Sequence, residues 1–291
     1  MKRTFVLLLI LFLTAFSFPV FSMEYVAGAR GGYFIWDSWL QEIHPIFESM
    51  DKGSGVLYGP VGSILITQDL YFSVSGLFGK QSTSGTSENI LYASQYRTTK
   101  YSFETFRMDI DSALSYRFTE YTKIFAGYKY WDLKTKANFM DFRYNTSDAL
   151  EQVSYYEMEI TQKLHGPAIG FGLSMPLGNK GFFAAANISG IYMFGKIKFD
   201  IDRIKQYQTP GWANTTGSGI NNKFDLRSYG FNFEPSIGLN AGQGLPIFTL
   251  GLRYQLTKYK ISEDIPQLSG IDRKWFVDQI YGVFVGVLYS I

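Results

Sequence analysis

The sequence has no cysteine, only two histidines and one long apolar run, at its N-terminus. The missing cysteines exclude a disulfide scaffold, a thiolate zinc site, a catalytic thiol and a lipidated N-terminal Cys. A helical membrane protein needs repeated apolar stretches of about 20 residues, so the single run excludes that class. Charge of one sign is also lacking, since 27 Lys and Arg face 25 Asp and Glu. A nucleic-acid partner calls for a basic excess and is therefore not expected. What is plentiful is aromatic: 26 Phe, 21 Tyr and 5 Trp, beside 29 Gly. That load is incompatible with a disordered chain.

The apolar run reads as a secretory signal over residues 1–22. Lys2 and Arg3 supply its charged start, Phe5 to Phe16 its apolar centre, and Val20 and Ser22 the small positions before a cut at Met23. Removing that segment leaves basic and acidic residues equal in number. No linker or composition break divides residues 23–291, which read as one domain.

Within that domain the recurring unit is a stretch of alternating apolar and polar or small residues, closed by a turn. Period-two alternation places each set on one face of a strand. In "YGVFVGVLYSI", Tyr281, Val283, Val285, Val287, Tyr289 and Ile291 share a face. Phe106, Met108, Ile110, Leu114, Tyr116 and Phe118 do the same, opposite Arg107, Asp109, Asp111 and Arg117. Phe248 to Leu256 and Tyr229 to Leu239 repeat the pattern. The apolar faces end in Tyr, Trp and Phe, as the interfacial girdles of a membrane barrel do. A soluble β-sandwich would expose those faces as patches far above the few hundred Å² usual for soluble monomers.

Short connections fall near Thr67–Leu70, Thr119–Thr122, Gly178–Gly181 and Gly242–Pro246. Long ones cover roughly 37–54, 81–102, 140–154, 202–222 and 262–272, the polar second and fourth reading as mobile loops. Charges over the five long connections sum to a mild acidic excess. The count predicts an all-β, antiparallel transmembrane β-barrel of about ten strands, with twelve or eight as alternatives. Short turns are expected on the periplasmic side and longer loops outside. Closure is required because an unpaired backbone group costs several kcal/mol in hydrocarbon.

On these features residues 23–291 resemble bacterial outer-membrane β-barrel proteins, with no closer subfamily indicated. The resemblance implies outer-membrane location, outer-membrane lipid and the barrel assembly machinery as partners, and a monomer. It also implies an assembly signal in Val287, Tyr289 and Ile291; the family usually ends in Phe, whereas Ile291 stands here.

Parity assigns to the lumen Arg30, Arg107, Asp109, Asp111, Arg117, Lys129, Glu157, Glu159, Lys163, Glu234, Arg253 and Asp278. Glu157 and Glu159 sit out of phase with Ile169, Phe171 and Leu173 as lipid-facing residues, so a bulge is expected near His165, Gly166 and Pro167. A balanced lumen has two readings. Opposite charges either pair and fill a narrow barrel, or line a narrow path for small polar solutes. The function expected is a narrow, porin-like channel of that kind, with a conductance-silent surface-binding or structural barrel as the alternative.

Other chemistry is poorly supported. Neither "HPI" at His44 nor "HGP" at His165 carries a serine two residues on, as outer-membrane Ser/His hydrolases require. His44 with Asp37 or Asp51 imitates half of an omptin-like Asp and His site, and no second half is evident. "GLFGK" and "GFGLSMPLG" are not phosphate loops. The expectation is therefore no enzyme, no cofactor and no metal, although Glu157 and Glu159 are a conceivable cation pair. In "WDSWLQEIHPIF", Ser38 and Gln41 form a capping box. Trp39, Leu40, Ile43 and Phe47 follow helical spacing, and Pro45 ends it. This segment reads either as a short helix at the barrel mouth or as an aromatic-anchored loop.

Overall fold

The computed structural model describes residues 25–42, 51–92, 95–144, 150–208, 211–213, 220–242, 244–261 and 275–290. The expected signal segment 1–22, His44 and Ile291 lie outside the described residues. Eleven strands follow one another: β1 Tyr25–Asp37, β2 Gly53–Leu65, β3 Leu70–Tyr92, β4 Gln95–Arg117, β5 Thr122–Tyr144, β6 Leu150–Pro176, β7 Phe182–Gln208, β8 Gly211–Ala213, β9 Ile220–Asn240, β10 Ile247–Ile261 and β11 Phe276–Ser290. β8 is a three-residue addition to the end of β7. The other ten are antiparallel neighbours in a ring.

Closure comes from β1 against β11, in unbroken register from Val26↔Ser290 to Asp37↔Gln279. No strand edge is left to hydrocarbon, which is the condition for a sheet to span a bilayer. Tight reversals join the strands on one side. Thr67 N donates to Leu70 O at 3.0 Å, and Leu177 N to Phe182 O at 2.7 Å. The second reversal needs Gly178 and Gly181, whose φ angles of 73° and 77° few side chains tolerate.

The strand lengths correct one expectation. β1 and β2 have 13 residues, but β6 and β7 have 27 each. Most of the spans read as loops at 81–102, 140–154 and 202–222 are strand: β3 runs to Tyr92 and β4 begins at Gln95. Where their side chains are described, as at Ser82, Ser84, Ser102 and Glu104, these stretches are polar on the outside and lack the amphipathic signature of a membrane strand. In water they need only a paired neighbour and a packed inner face. Tyr101 and Phe103 on β4 and Phe139 on β5 supply that face and are buried.

Around the turn side of the ring the outward residues are apolar. They run from Phe118 to Phe106 on β4, Phe182 to Phe194 on β7, Leu239 to Tyr229 on β9, and Tyr289 to Tyr281 on β11, and many are exposed. Thirteen positions, as on β4, climb about 30 Å at about 3.3 Å per residue and about 40° of tilt, close to the hydrocarbon thickness. Tyr58, Phe106, Tyr128, Phe194, Tyr229 and Tyr254 stand near the upper margin of this band. Above it the exterior turns to Lys, Arg, Asp and Glu.

Candidate functional site in the barrel interior

The interior has two storeys, set by the same strands. In the lower one, level with the apolar exterior, inward positions are polar or small. Ser73 and Ser75 come from β3, Asp111 and Ser115 from β4, Asn187 and Ser189 from β7, and Asn232 and Glu234 from β9. Arg30, Asp111, Lys129, Asn187, Asn232 and Glu234 line a cavity of about 260 Å³ there. Arg117 belongs to the turn-side rim, where it is exposed and borders a second hollow with Glu120 and Lys123.

The ceiling of the lower storey is an alternating chain of charges. Arg107 Nε donates to both oxygens of Asp109, at 2.9 and 3.1 Å, and its guanidinium lies 5.4 Å from the Trp131 ring centroid. Arg253 reaches Asp109 at 3.7 Å on one side and Glu234 at 3.4 Å on the other. Arg30 then approaches the second Glu234 oxygen at 3.4 Å and donates to Ser75 Oγ at 3.2 Å. Lys129 meets Asp111 at 2.6 Å. Arg107, Asp109 and Arg253 side chains are all 98–99% shielded, exposing 1%, 2% and 1%. Charges so buried are tolerable only in mutual compensation.

Above this layer the interior is mixed, with Gln81, Thr105, Gln162, Gln255 and Thr257 buried beside apolar side chains. Phe34, Leu57, Trp131, Leu164, Met193 and Ile197 are fully buried. The chain leaving β1 then folds inward as a 3₁₀ turn, Trp39–Glu42. Ser38 caps it: its Oγ accepts from Leu40 N at 3.2 Å, and its carbonyl from Gln41 N at 3.1 Å. Trp39 is 1% exposed, with Phe276, Tyr259 and Phe199 rings at 5.6, 6.0 and 6.5 Å. Asp278 holds the turn, accepting from Trp36 Nε1 at 2.7 Å and Trp39 N at 3.5 Å. The described part of this segment is a four-residue 3₁₀ turn anchored by aromatic rings, and Ile43, Pro45 and Phe47, on which the helix reading depended, lie outside the described residues.

Nine of the twelve residues assigned to the lumen point inward: Arg30, Arg107, Asp109, Asp111, Arg117, Lys129, Glu234, Arg253 and Asp278. Glu157, Glu159 and Lys163 do not, and the assignment is corrected. On β6 the buried residues are Met158, Ile160, Gln162, Leu164 and Ala168, so Glu157, Glu159 and Lys163 share the outer face with His165, Ile169 and Phe171. The bulge expected at His165 is also absent: the pairs His165↔Phe194 and Ala168↔Ile191 keep one register, and the irregularity of this ladder falls at Tyr155/Tyr156. The error came from holding "polar inside" along the whole strand, whereas the polarity inverts at the membrane margin. Of the assembly-signal residues, Val287 and Tyr289 face outward at the turn-side end of β11. Sequence reasoning missed Trp131, Phe34 and Tyr259 as interior fillers, though their inward parity was available.

No protein-family model and no curated protein sequence matches the chain. Solved structures do share the architecture. The outer membrane protease OmpT from Escherichia coli aligns over 94% of this chain and 99% of its own, at 6% identity and a TM-score of 0.47. CarO from Acinetobacter baumannii aligns over 88% and 95%, at 10% identity and 0.31. The toluene transporter TbuX from Ralstonia pickettii aligns over 92% and 89%, at 6% and 0.35. Such likeness concerns fold alone. The architecture is that of an outer-membrane β-barrel, ten-stranded and closed.

One expectation is corrected by this comparison. The chain was expected not to be an enzyme, yet the first of these barrels is a protease. The expectation of no enzyme is therefore withdrawn. At 6% identity the likeness assigns no activity to this chain. Asp37, weighed as half of a catalytic pair with His44, is in ion-pair contact with Lys52 at 2.9 Å.

Proposed function

We propose that the protein is an outer-membrane barrel that carries no resting current and acts through its outer half. The reading rests on the packed interior: the Arg107–Asp109–Arg253 layer lies beneath buried apolar and polar side chains that Trp39 and Leu40 cap. Planar-bilayer recording of the folded protein tests it. The expected result is no conductance above background, with brief openings when Trp39→Ala and Leu40→Ala are combined. A steady conductance in the unmodified protein would overturn it.

The 260 Å³ polar cavity of the lower storey favours a second reading, a gated path for small polar solutes in which the Trp39 turn is the gate. Solute-dependent swelling of proteoliposomes separates the two, since only a gate that opens admits solute. Export through a signal cleaved after residue 22, insertion by the assembly machinery through Val287, Tyr289 and Ile291, and a monomeric state complete the proposal.

A further inference from the structure

The outer surface of β6, β7 and β9 carries an arrangement that neither a sealed nor a conducting lumen requires. Just above the apolar band, Lys163 stands opposite Lys196 across the β6–β7 ladder, and Lys198 opposite Lys223 across β7–β9. Arg227 stands opposite Lys260 across β9–β10. Like charges directly opposite on adjacent strands destabilise a sheet. Carboxylates answer only part of this charge. Asp132 meets Lys163 at 3.2 Å, Asp200 meets Lys198 at 2.6 Å and Asp225 meets Lys196 at 3.6 Å. Lys223 and Arg227 have no ion pair among the described residues. On the opposite wall Lys52 pairs with Asp37 and Lys80 with Glu104 at 2.8 Å.

The cations surround an open groove of about 960 Å³. Its upper lip is Lys198, Lys223, Asp225 and Arg227, three cations to one carboxylate; its lower lip is Tyr192 and Phe194, which are half exposed and continuous with the apolar band. Directly below lie Ile169, 71% exposed, Ile188 and Phe231. The groove thus joins cations to a surface that meets acyl chains, at the level where a headgroup sits.

We propose that this groove binds the phosphate of an outer-leaflet lipid, whose acyl chains lie along Ile169, Ile188 and Phe231. A phosphate monoester, as in phosphatidic acid, carries more than one negative charge and three acceptor oxygens, so one group can offset two opposed lysines at once. A carboxylate that already meets one lysine cannot. The site lies on the outside of the wall and is independent of whether the lumen conducts.

The test uses the full folded barrel in detergent, with lipid binding counted by native mass spectrometry. Phosphatidic acid, diacylglycerol with the same chains, and inorganic phosphate are titrated separately. Phosphatidic acid is expected to bind well above diacylglycerol, and the double variant Lys198→Gln with Lys223→Gln to bind it about thirty-fold more weakly, taking each lysine as one surface cation. Lys80→Gln should match the unmodified protein, and Lys198→Arg with Lys223→Arg should retain binding. Without lipid, the glutamine pair should melt no lower than the parent, because it relieves repulsion. Equal binding of phosphatidic acid and diacylglycerol, or unchanged binding by the folded glutamine variant, would overturn the proposal. Inorganic phosphate binding as tightly as phosphatidic acid would overturn its assignment to a lipid. If the glutamine pair fails to fold, Lys163→Gln with Lys196→Gln carries the same comparison.

Discussion

The lower and upper halves of this barrel are built from the same strands and have opposite polarity. On β4 the lower half sets Phe118, Tyr116 and Leu114 outward and Ser115, Asp111 and Asp109 inward. The upper half sets Glu104, Ser102 and Lys100 outward and Phe103 and Tyr101 inward. β6, β7 and β9 make the same exchange, from Phe171, Ile188 and Phe233 outside to Glu159, Lys198 and Asp225 outside. No register shift accompanies it. The difference teaches that one backbone pattern serves two solvents. Hydrocarbon forces the greasy face out and the charges in, whereas water lets charges stand outside and aromatic and aliphatic side chains pack inside beside buried polar ones such as Thr105 and Gln162.

Substitutions that ignore the division should hurt in proportion to how firmly each storey depends on it. The largest effect is expected at Asp109, which compensates both Arg107 and Arg253. Asp109→Ala leaves two buried guanidinium groups under-compensated and should cost about 3–5 kcal/mol, read from urea unfolding in detergent or lipid. Leu164→Ala removes a fully buried side chain from the upper packing. A loss of about 2–5 kcal/mol is expected in the same assay, as for a core cavity in a water-soluble protein. Ile169→Arg, on the same strand but facing lipid, should cost about 2–4 kcal/mol in bilayers. Thr161→Arg, eight residues up the same face, meets water and should cost less, about 1 kcal/mol, which comes from standing opposite Lys134 and Lys198. Equal costs at 161 and 169 would erase the boundary between the halves. Smallest of all is Lys52→Ala: its pair with Asp37 is half exposed, and about 0–1 kcal/mol is expected.

How much of this was legible in the sequence follows from the same division. The membrane storey announces itself, because lipid demands strict alternation and aromatic margins; Tyr281 to Tyr289 and Phe248 to Leu252 needed no coordinates. The ion-pair layer was half legible. Parity found Arg107, Asp109 and Arg253, while their partners depend on which strands become neighbours around the ring. The upper storey was read as loops or, at Glu157, Glu159 and Lys163, as lumen. A strand with charges outside and apolar residues inside looks, by alternation alone, like a membrane strand one residue out of phase. The capping box at Ser38 signalled an ordered turn, but its burial depends on Phe199, Tyr259 and Phe276 arriving from three other strands.

The inversion can be observed directly, since the chain has no cysteine of its own. Single cysteines at 157, 159, 161, 163, 169, 171 and 173 on β6, spin-labelled in bilayers, would be probed with oxygen and with a water-soluble nickel relaxant. Labels at 169, 171 and 173 should favour oxygen, and labels at 157 to 163 the nickel complex, with all seven mobile on the outer face. Immobile, buried labels at 157, 159 and 163, with a phase change near 165–167, would contradict a barrel whose polarity turns over at the membrane margin.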